Sequence, residues 1–394
     1  NDFTQNIGNG SYSTADSYVK QVWDGRYTGI RMCNQLLENI DRVPDLDPEL
    51  KKRYIGEAKV LRAYSYYELY TKFGDIPYTT KVLSIKESMS IARTAKATVI
   101  ANVLADLDEV INGNYLPTSY DADNKGRITR WAAMAIKAKI YLFEGNWTQV
   151  KNITSTIMTE GGFKLFGSYA GLFEIANEYN SEVILDAQYR PTSREHQMMY
   201  VFLPPTLGGY SQLSPLQELV DSYIMLDGKT IKETGTSFDE SHPYANRDPR
   251  LKATVMYTGN SYTLADGTEV VINCEKGEGK DGYGVGSDCS ATGYYIKKYW
   301  DNTYRATLYS GLNPILIRYA DILLMNAEAL AELGELDKTA WDATIKPIRD
   351  RAGFTLASAL EFPEGASKDK LIEIVRNERR SELADRKSTR LNSS

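Results

Sequence analysis

Along much of this chain apolar residues recur every three or four positions, the spacing of one helix face. The pattern predicts a helical pair over residues 14–42 and 48–73, divided at Val43-Pro44-Asp45-Leu46-Asp47-Pro48, where two prolines stop one helix and start the next. In the second helix Ile55, Ala58, Leu61, Arg62, Ser65, Tyr66 and Leu69 share a face. Arg62 is therefore expected to point inward, where it needs an acid, from Glu57, Glu68 or another helix. The tyrosines at 64, 66, 67 and 70 fall on different faces, with Tyr66 predicted to be core. The helix is expected to stop at Phe73-Gly74-Asp75-Ile76-Pro77, and Tyr78, emerging beyond it, is a better ligand candidate than any tyrosine inside it. Trp23 and Tyr27, four residues apart on the first helix, are predicted to be core.

A second pair is predicted over 95–112 and 129–144. There Ala132, Ala135 and Ala138 would let helices approach closely, and Gly145 closes the run. A third pair spans 316–333 and 338–352, and a last helix spans about 368–385. Helix, glycine turn, helix is the style of a tetratricopeptide unit of ~34 residues, here loosely matched and irregularly spaced. Residues 160–312 lack the helical period and are rich in Gly, Pro, Tyr and Asp. Short strands are predicted at Glu182-Val183-Ile184-Leu185 and Thr268-Glu269-Val270-Val271-Ile272. Irregular segments of that length in a compact protein usually carry function.

Composition narrows the function. The net charge of −6 argues against a nucleic-acid binder, which wants a basic face for the phosphates. Tyrosine is in excess, 28 against 10 Phe and 5 Trp, and tyrosine is favoured where one end of a ring is packed and the other is wet. Three cysteines and two histidines make no zinc pattern, so neither metal nor cofactor is expected. Cys33 reads as a small core residue. Cys274 and Cys289 flank a glycine-rich loop, Gly277 to Gly286, where they could pair in an exported protein. No stretch approaches the ~18 apolar residues of a membrane span.

Each chemical motif has a structural reading beside the functional one. Asp239, Glu240, Asp301, Asp321 and Glu328 could supply a glycosidase with paired carboxyls, but none has an activating neighbour in sequence. Asp321 and Glu328 are expected in ion pairs, for example with Arg318 or Arg62. "NRDPRL" (246–251) could clamp an anion, but reads better as a structural Arg–Asp turn. "YYIKKYWDNTYRATLYSG" (294–311) could present rings to a sugar, although strand-like alternation would send at most half to one side. The loop 189–215, with Gly208-Gly209 and Tyr210 at its tip, reads as a lid or a plain connection.

Several of these stretches together resemble the SusD/RagB family of outer-membrane nutrient-binding lipoproteins of Bacteroidetes. They are "EAKVLRAYSYYELYTKFGDIPY" (57–78), "LVDSYIMLDGKTI" (219–231), "NRDPRL", "IRYADILLMNAEALAELG" (317–334) and "IVRNERRSEL" (374–383), in the family's order. The resemblance implies a mainly α fold: tetratricopeptide-like helix pairs (about 14–73, 95–144 and 316–385) packed against an irregular, loop-rich ligand side with short strands (about 160–312). These would form a single domain over 1–386. Residues 387–394 depart from the family and read as a non-native tail. The chain would be a fragment, without the signal and lipidation region and the C-terminal end.

The implied function is non-catalytic capture of a glycan at the outer face of the outer membrane and delivery to a partner SusC-like TonB-dependent transporter. The full-length protein would be held to outer-membrane lipid by an N-terminal lipidated cysteine. By the same resemblance Trp300, Tyr304 and Tyr283 are the first ligand-binding candidates, with Tyr12 beside them; Tyr78 and Tyr210 complete the set. The alternatives are a peptide-binding member of the family and a glycoside hydrolase on a helical scaffold. A tetratricopeptide adaptor is disfavoured by the long irregular region.

Overall fold

The computed structural model describes residues 11, 13, 16–301, 303 and 308–384. These fall into two compact units, Asp2–Gly161 and Gly162–Ser394, each taken over its described residues. Among the described residues eight helices of fourteen residues or more, numbered here α1 to α8, carry both, and the helix-rich fold follows the expected pattern.

In the first unit α1 (Ser17–Asn39) lies against α2 (Pro48–Phe73). Helix α2 begins where the prolines predict: the Asp47 carboxylate accepts from Leu50 N (2.8 Å), Pro48 takes the first position, and Gly74, at φ 68°, ends it. Cys33 and Tyr66 are core, as expected. Trp23 packs edge-on against Phe73 (5.1 Å) and beside Tyr27 (4.9 Å), whose hydroxyl donates to Pro77 O (2.8 Å).

The single-face reading of α2 needs correction. Leu61, placed on the buried face, is 48% exposed, whereas Arg62, Ala63 and every residue from Ser65 to Tyr70 are buried. The helix is flanked by α1 and by α3 (Lys96–Asn112), so two faces are covered and an amphipathic stripe disappears. Arg62 finds its partners on those flanking helices and not on its own. Its Nη2 donates to Asp106 (2.6 Å) and its Nη1 to Asn34 (2.9 Å).

Helix α4 (Arg130–Phe143) buries Ala132, Ala133, Ala135 and Ala138 between α3 and a helix that periodicity did not predict, α5 (Trp147–Glu160). The Asn146 side chain caps α5 from a turn made by Gly145 (φ 73°), and only Val150, Thr154 and Ile157 are buried. One of those three is polar, with its hydroxyl bonded to Val150 O (2.7 Å), which hides the apolar period.

Among its described residues the second unit carries three two-stranded antiparallel ladders: β1 (Val183–Asp186) with β6 (Ile315–Arg318), β2 (Val255–Met256) with β5 (Tyr295–Ile296), and β3 (Ser261–Thr263) with β4 (Glu269–Val271). Strand β6 runs straight into α6 (Tyr319–Leu333), which packs against α7 (Lys338–Ala352) and α8 (Lys368–Glu382). The loop-rich region has its own core, containing Tyr169, Phe173, Phe202, Tyr262, Tyr295 and Tyr299.

A buried ion network ties these parts together. Glu382 on α8 receives Arg318 from the end of β6, Arg351 from α7, and Arg250 (Nη1–Oε2 2.8 Å) from the "NRDPRL" turn. Glu182 meets Arg318 (2.7 Å) and Arg351 (3.0 Å). Asp248 and Glu378 meet Arg250 (2.7 and 2.6 Å). The Arg–Asp turn is therefore structural. Asp321 accepts from Arg318 N (2.9 Å), and Glu328 pairs with Arg376 and Arg379, not with Arg62.

Candidate ligand-binding surface

Two exposed rings of the second unit, Tyr210 and Tyr283, lie on two loops that bond to each other. The first loop begins with a short helix, Met198–Phe202, that buries Met199 and Phe202 and leaves Tyr200 half-exposed. A 3-10 turn at Pro205–Leu207 follows, then Gly208 in the left-handed region (φ 81°). Gly209 is packed so closely that a Cβ there would stand 2.1 Å from Leu203 O. Only glycine permits that approach, which returns the chain so that Tyr210 N donates to Tyr200 O (2.9 Å). The two rings then stack, with centroids 4.2 Å apart and planes at 29°. Tyr210 is 38% exposed. Hydrogen bonding to Tyr210 raises the pKa of the Tyr200 hydroxyl, and the negative charge of Asp288 adds to the effect.

The second loop carries Tyr283, 41% exposed. Asp281, buried two residues earlier, accepts from Thr206 N of the first loop (2.8 Å), and its carbonyl accepts from the Tyr295 hydroxyl (2.6 Å). The Thr292 hydroxyl donates to Pro215 O (2.6 Å), a second link between the loops. Tyr200, Tyr210 and Tyr283 therefore stand on one braced pair of loops. Sequence reasoning picked Tyr210 and Tyr283 and missed Tyr200; the signal was the Gly-Gly turn, which folds position 210 back over 200.

The aromatic run at 294–311 does not divide by simple alternation, since the adjacent Tyr294 and Tyr295 are both buried. Tyr294, Tyr295 and Tyr299 are buried, while Tyr309 is exposed. The Tyr294 hydroxyl donates to Gln217 (2.8 Å), and that of Tyr299 accepts from Ile315 N (3.2 Å). Trp300 sits at the edge of the core, tilted against Tyr262 (5.2 Å), with its indole N–H donating to Thr263 O (2.7 Å). That bond fixes the ring and leaves only part of it accessible. Tyr78 belongs to the other unit, where it is half-buried against Tyr66 (4.7 Å), and burial raises the pKa of its hydroxyl. Tyr12 and Tyr304 lie outside the described residues, as does the stretch 387–394.

The candidate acids have structural engagements. Asp301 is buried and accepts from Ser310 Oγ (2.5 Å). Asp239, exposed, accepts from Ser241 and His242 (2.8 Å) and is held down to about 2 by these bonds. Burial lowers the pKa of the His196 imidazole, whose Nε2 meets Leu312 O (2.8 Å). Cys274 and Cys289 are free thiols and do not form the disulfide that the sequence allowed. Among the described residues no group of His, Cys, Asp and Glu side chains could hold a metal ion, and no helix is long and apolar enough to cross a membrane.

Comparison with known proteins identifies the family to which this helix-rich scaffold belongs. The chain belongs to the SusD family, whose model matches residues 172–385; a second model, described as "starch-binding associating with outer membrane", matches residues 2–142. A SusD-like protein of Formosa agariphila is 27% identical over 390 residues, covering 93% of this chain and 68% of the relative. The structure of a SusD-like carbohydrate-binding protein from Bacteroides fragilis superposes with a TM-score of 0.81 at 27% identity, covering 94% of this chain and 72% of that one. A laminarin-binding SusD-like protein shares the fold, with a TM-score of 0.65 at 23% identity over 94% of this chain and 80% of that one.

Proposed function

We propose that this protein captures a glycan without cleaving it and delivers it to a partner SusC-like TonB-dependent transporter at the outer face of the outer membrane. The full-length protein would be anchored there by lipid. The observation that carries the binding reading is the exposed Tyr200–Tyr210 stack, braced against the loop of Tyr283. A stacked pair offers a flat apolar face for a sugar ring, and its hydroxyls reach the sugar's own. The tight turn at Gly209 orders the pair before ligand arrives, which lowers the entropic cost of binding. We assign Tyr210, Tyr283 and Tyr200 to the centre of the site and Trp300 to its rim, with Tyr304 a further proposed contact; Tyr12 and Tyr78, of the other unit, are proposed ligand contacts on their own unit.

The non-catalytic reading is supported by the acids, since Asp301, Asp321 and Glu328 are engaged by protein donors. Membership of a family with a carbohydrate-binding relative, and the outer-membrane association in the second family model's description, support the ligand class and the location.

The test is affinity electrophoresis against a polysaccharide panel that includes laminarin, with reducing-end release assayed on the same samples. Retardation without new reducing ends is expected, and Tyr210→Ala should weaken it by roughly tenfold, the loss of one central aromatic contact. New reducing ends would overturn the non-catalytic reading. Retardation unchanged by Tyr210→Ala and Tyr283→Ala would move the site elsewhere.

A further inference from the structure

We propose a second ligand site in the Asp2–Gly161 unit: an arginine-lined cleft that takes the acid group of an anionic sugar residue. The cleft holds about 480 Å³ and opens between the start of α2 and the loop 114–118, with Arg130 at the start of α4 closing one side. Arg53 and Arg130 both line it, and the Nε of each is buried with no hydrogen-bond partner. Neither guanidinium has a carboxylate partner among the described residues. Buried polar atoms are nearly always bonded, so two orphaned guanidinium donors on one cleft are informative.

The reason for the orphaning is visible. The natural partner of Arg53 on its own helix is Glu57, one turn on. Glu57 is taken by Arg127, which grips it through Nε (2.8 Å) and Nη2 (2.5 Å), and it also accepts from the Tyr120 hydroxyl. Arg53 is instead held by rings, lying over Tyr54 (5.5 Å) and Tyr120 (5.6 Å). The carboxylates of Asp47, which caps Leu50 N, and of Glu49 also line the cleft, and neither forms an ion pair with Arg53 or Arg130.

The lining selects the ligand. Guanidinium donors suit the oxygens of a carboxylate or sulfate. Leu50, Tyr115, Leu116 and Pro117 give the same cleft an apolar wall on which a pyranose face can rest. An acidic peptide would want unpaired backbone groups beside the arginines. Part of the wall's backbone is already taken: Asn114 N bonds Ile111 O, Tyr115 N bonds Val110 O, and Pro117 O accepts from Arg130 N. The shared chemistry is thus a sugar acid, either a uronate or a sulfate ester. This inference rests on the glycan-capture reading but uses a different unit and different residues.

The test is titration of the intact chain, followed by ligand-observed NMR, with galacturonate, galactose 6-sulfate, galactose and an acetylated Asp-Glu dipeptide. The expected result is saturable binding of one or both acidic sugars and about tenfold weaker binding of galactose, the worth of one charge-assisted hydrogen bond. Arg53→Gln and Arg130→Gln should each lose about tenfold for the acidic sugar, and Arg53→Lys should fall between, keeping charge but not the fork. Unaltered helical circular dichroism in these variants excludes misfolding, and Tyr210→Ala should leave acidic-sugar binding intact. The two acidic arms distinguish carboxylate from sulfate. Equal affinity for galactose, preference for the dipeptide, indifference to both arginine changes, or no saturable binding would each overturn the proposal. Failure of polysaccharide retardation alone would sink the glycan reading at the tyrosines.

Discussion

The Glu382 network makes a strong mechanical claim, because one carboxylate anchors three guanidiniums from three different elements. Its Oε1 accepts from Arg318 and Arg351, its Oε2 from Arg250 (2.8 Å), and its backbone carbonyl from Arg318 Nη2 (2.6 Å). Glu382→Gln keeps the shape, removes the charge and turns an amide N–H₂ toward a cation. Removing one partner of a buried pair costs about 3–5 kcal/mol, because the remaining charge is left uncompensated. Here Glu182 still faces Arg318 and Arg351, and Asp248 and Glu378 still face Arg250, so the lower end applies, about 3 kcal/mol. With a urea slope of roughly 2–3 kcal/mol/M, the midpoint should fall by about 1–1.5 M.

The pH dependence has a definite sign. Burial alone would raise the pKa of the Glu382 carboxyl, but Arg351, Arg318 and Arg250 together hold it well below the ordinary carboxylate range. A depressed folded pKa contributes stability above the unfolded value, about 4.3 for Glu, and that contribution is lost as pH falls toward the folded value. The gap between wild type and Glu382→Gln should therefore be full at pH 7 and narrow steadily below about pH 4. The assay is urea unfolding by circular dichroism at pH 7 and at steps down to pH 3. A midpoint shift below about 0.3 M at pH 7, or a gap that widens in acid, would refute the reasoning.

Three further outcomes follow from single positions. Asp186 has the opposite sign: burial raises its carboxyl pKa, so its charged form opposes folding above the unfolded value of about 3.9, and Asp186→Asn should raise the Tm at pH 7 with the gain vanishing in acid. Gly209→Ala would set a methyl against Leu203 O, so it should unstack Tyr200 from Tyr210, weaken glycan retardation as Tyr210→Ala does, and lower the Tm by a few degrees. Thiol titration should count three free thiols after denaturation, with Cys289 the faster of the loop pair in the native protein, because burial pushes the Cys274 thiol up to about 12.

What the linear chain determined is what depends on neighbours within a turn or two. Pro48 and Asp47 start α2 wherever it packs, Gly74 and Gly334 end their helices in the left-handed region, and the small residues of α4 announce a close helix contact. Family motifs made the SusD family legible for the same reason: they are local words in a set order.

What only tertiary structure decided involves partners far apart in sequence. Leu61 left the buried face because α2 is covered by both α1 and α3, and Arg62 took Asp106, 44 residues away. The acids of the Arg–Asp turn and of α8 became a buried network because Arg318 and Arg250 reach across 64 and 132 residues to Glu382. Tyr200 joined Tyr210 through a glycine too tightly packed for any side chain, and Trp300 turned its N–H to Thr263, 37 residues before it. Periodicity reports how much of a helix is covered, not by what. Ion pairs, ring stacks and clefts are chosen by which surfaces meet, and that is set once the whole chain has packed.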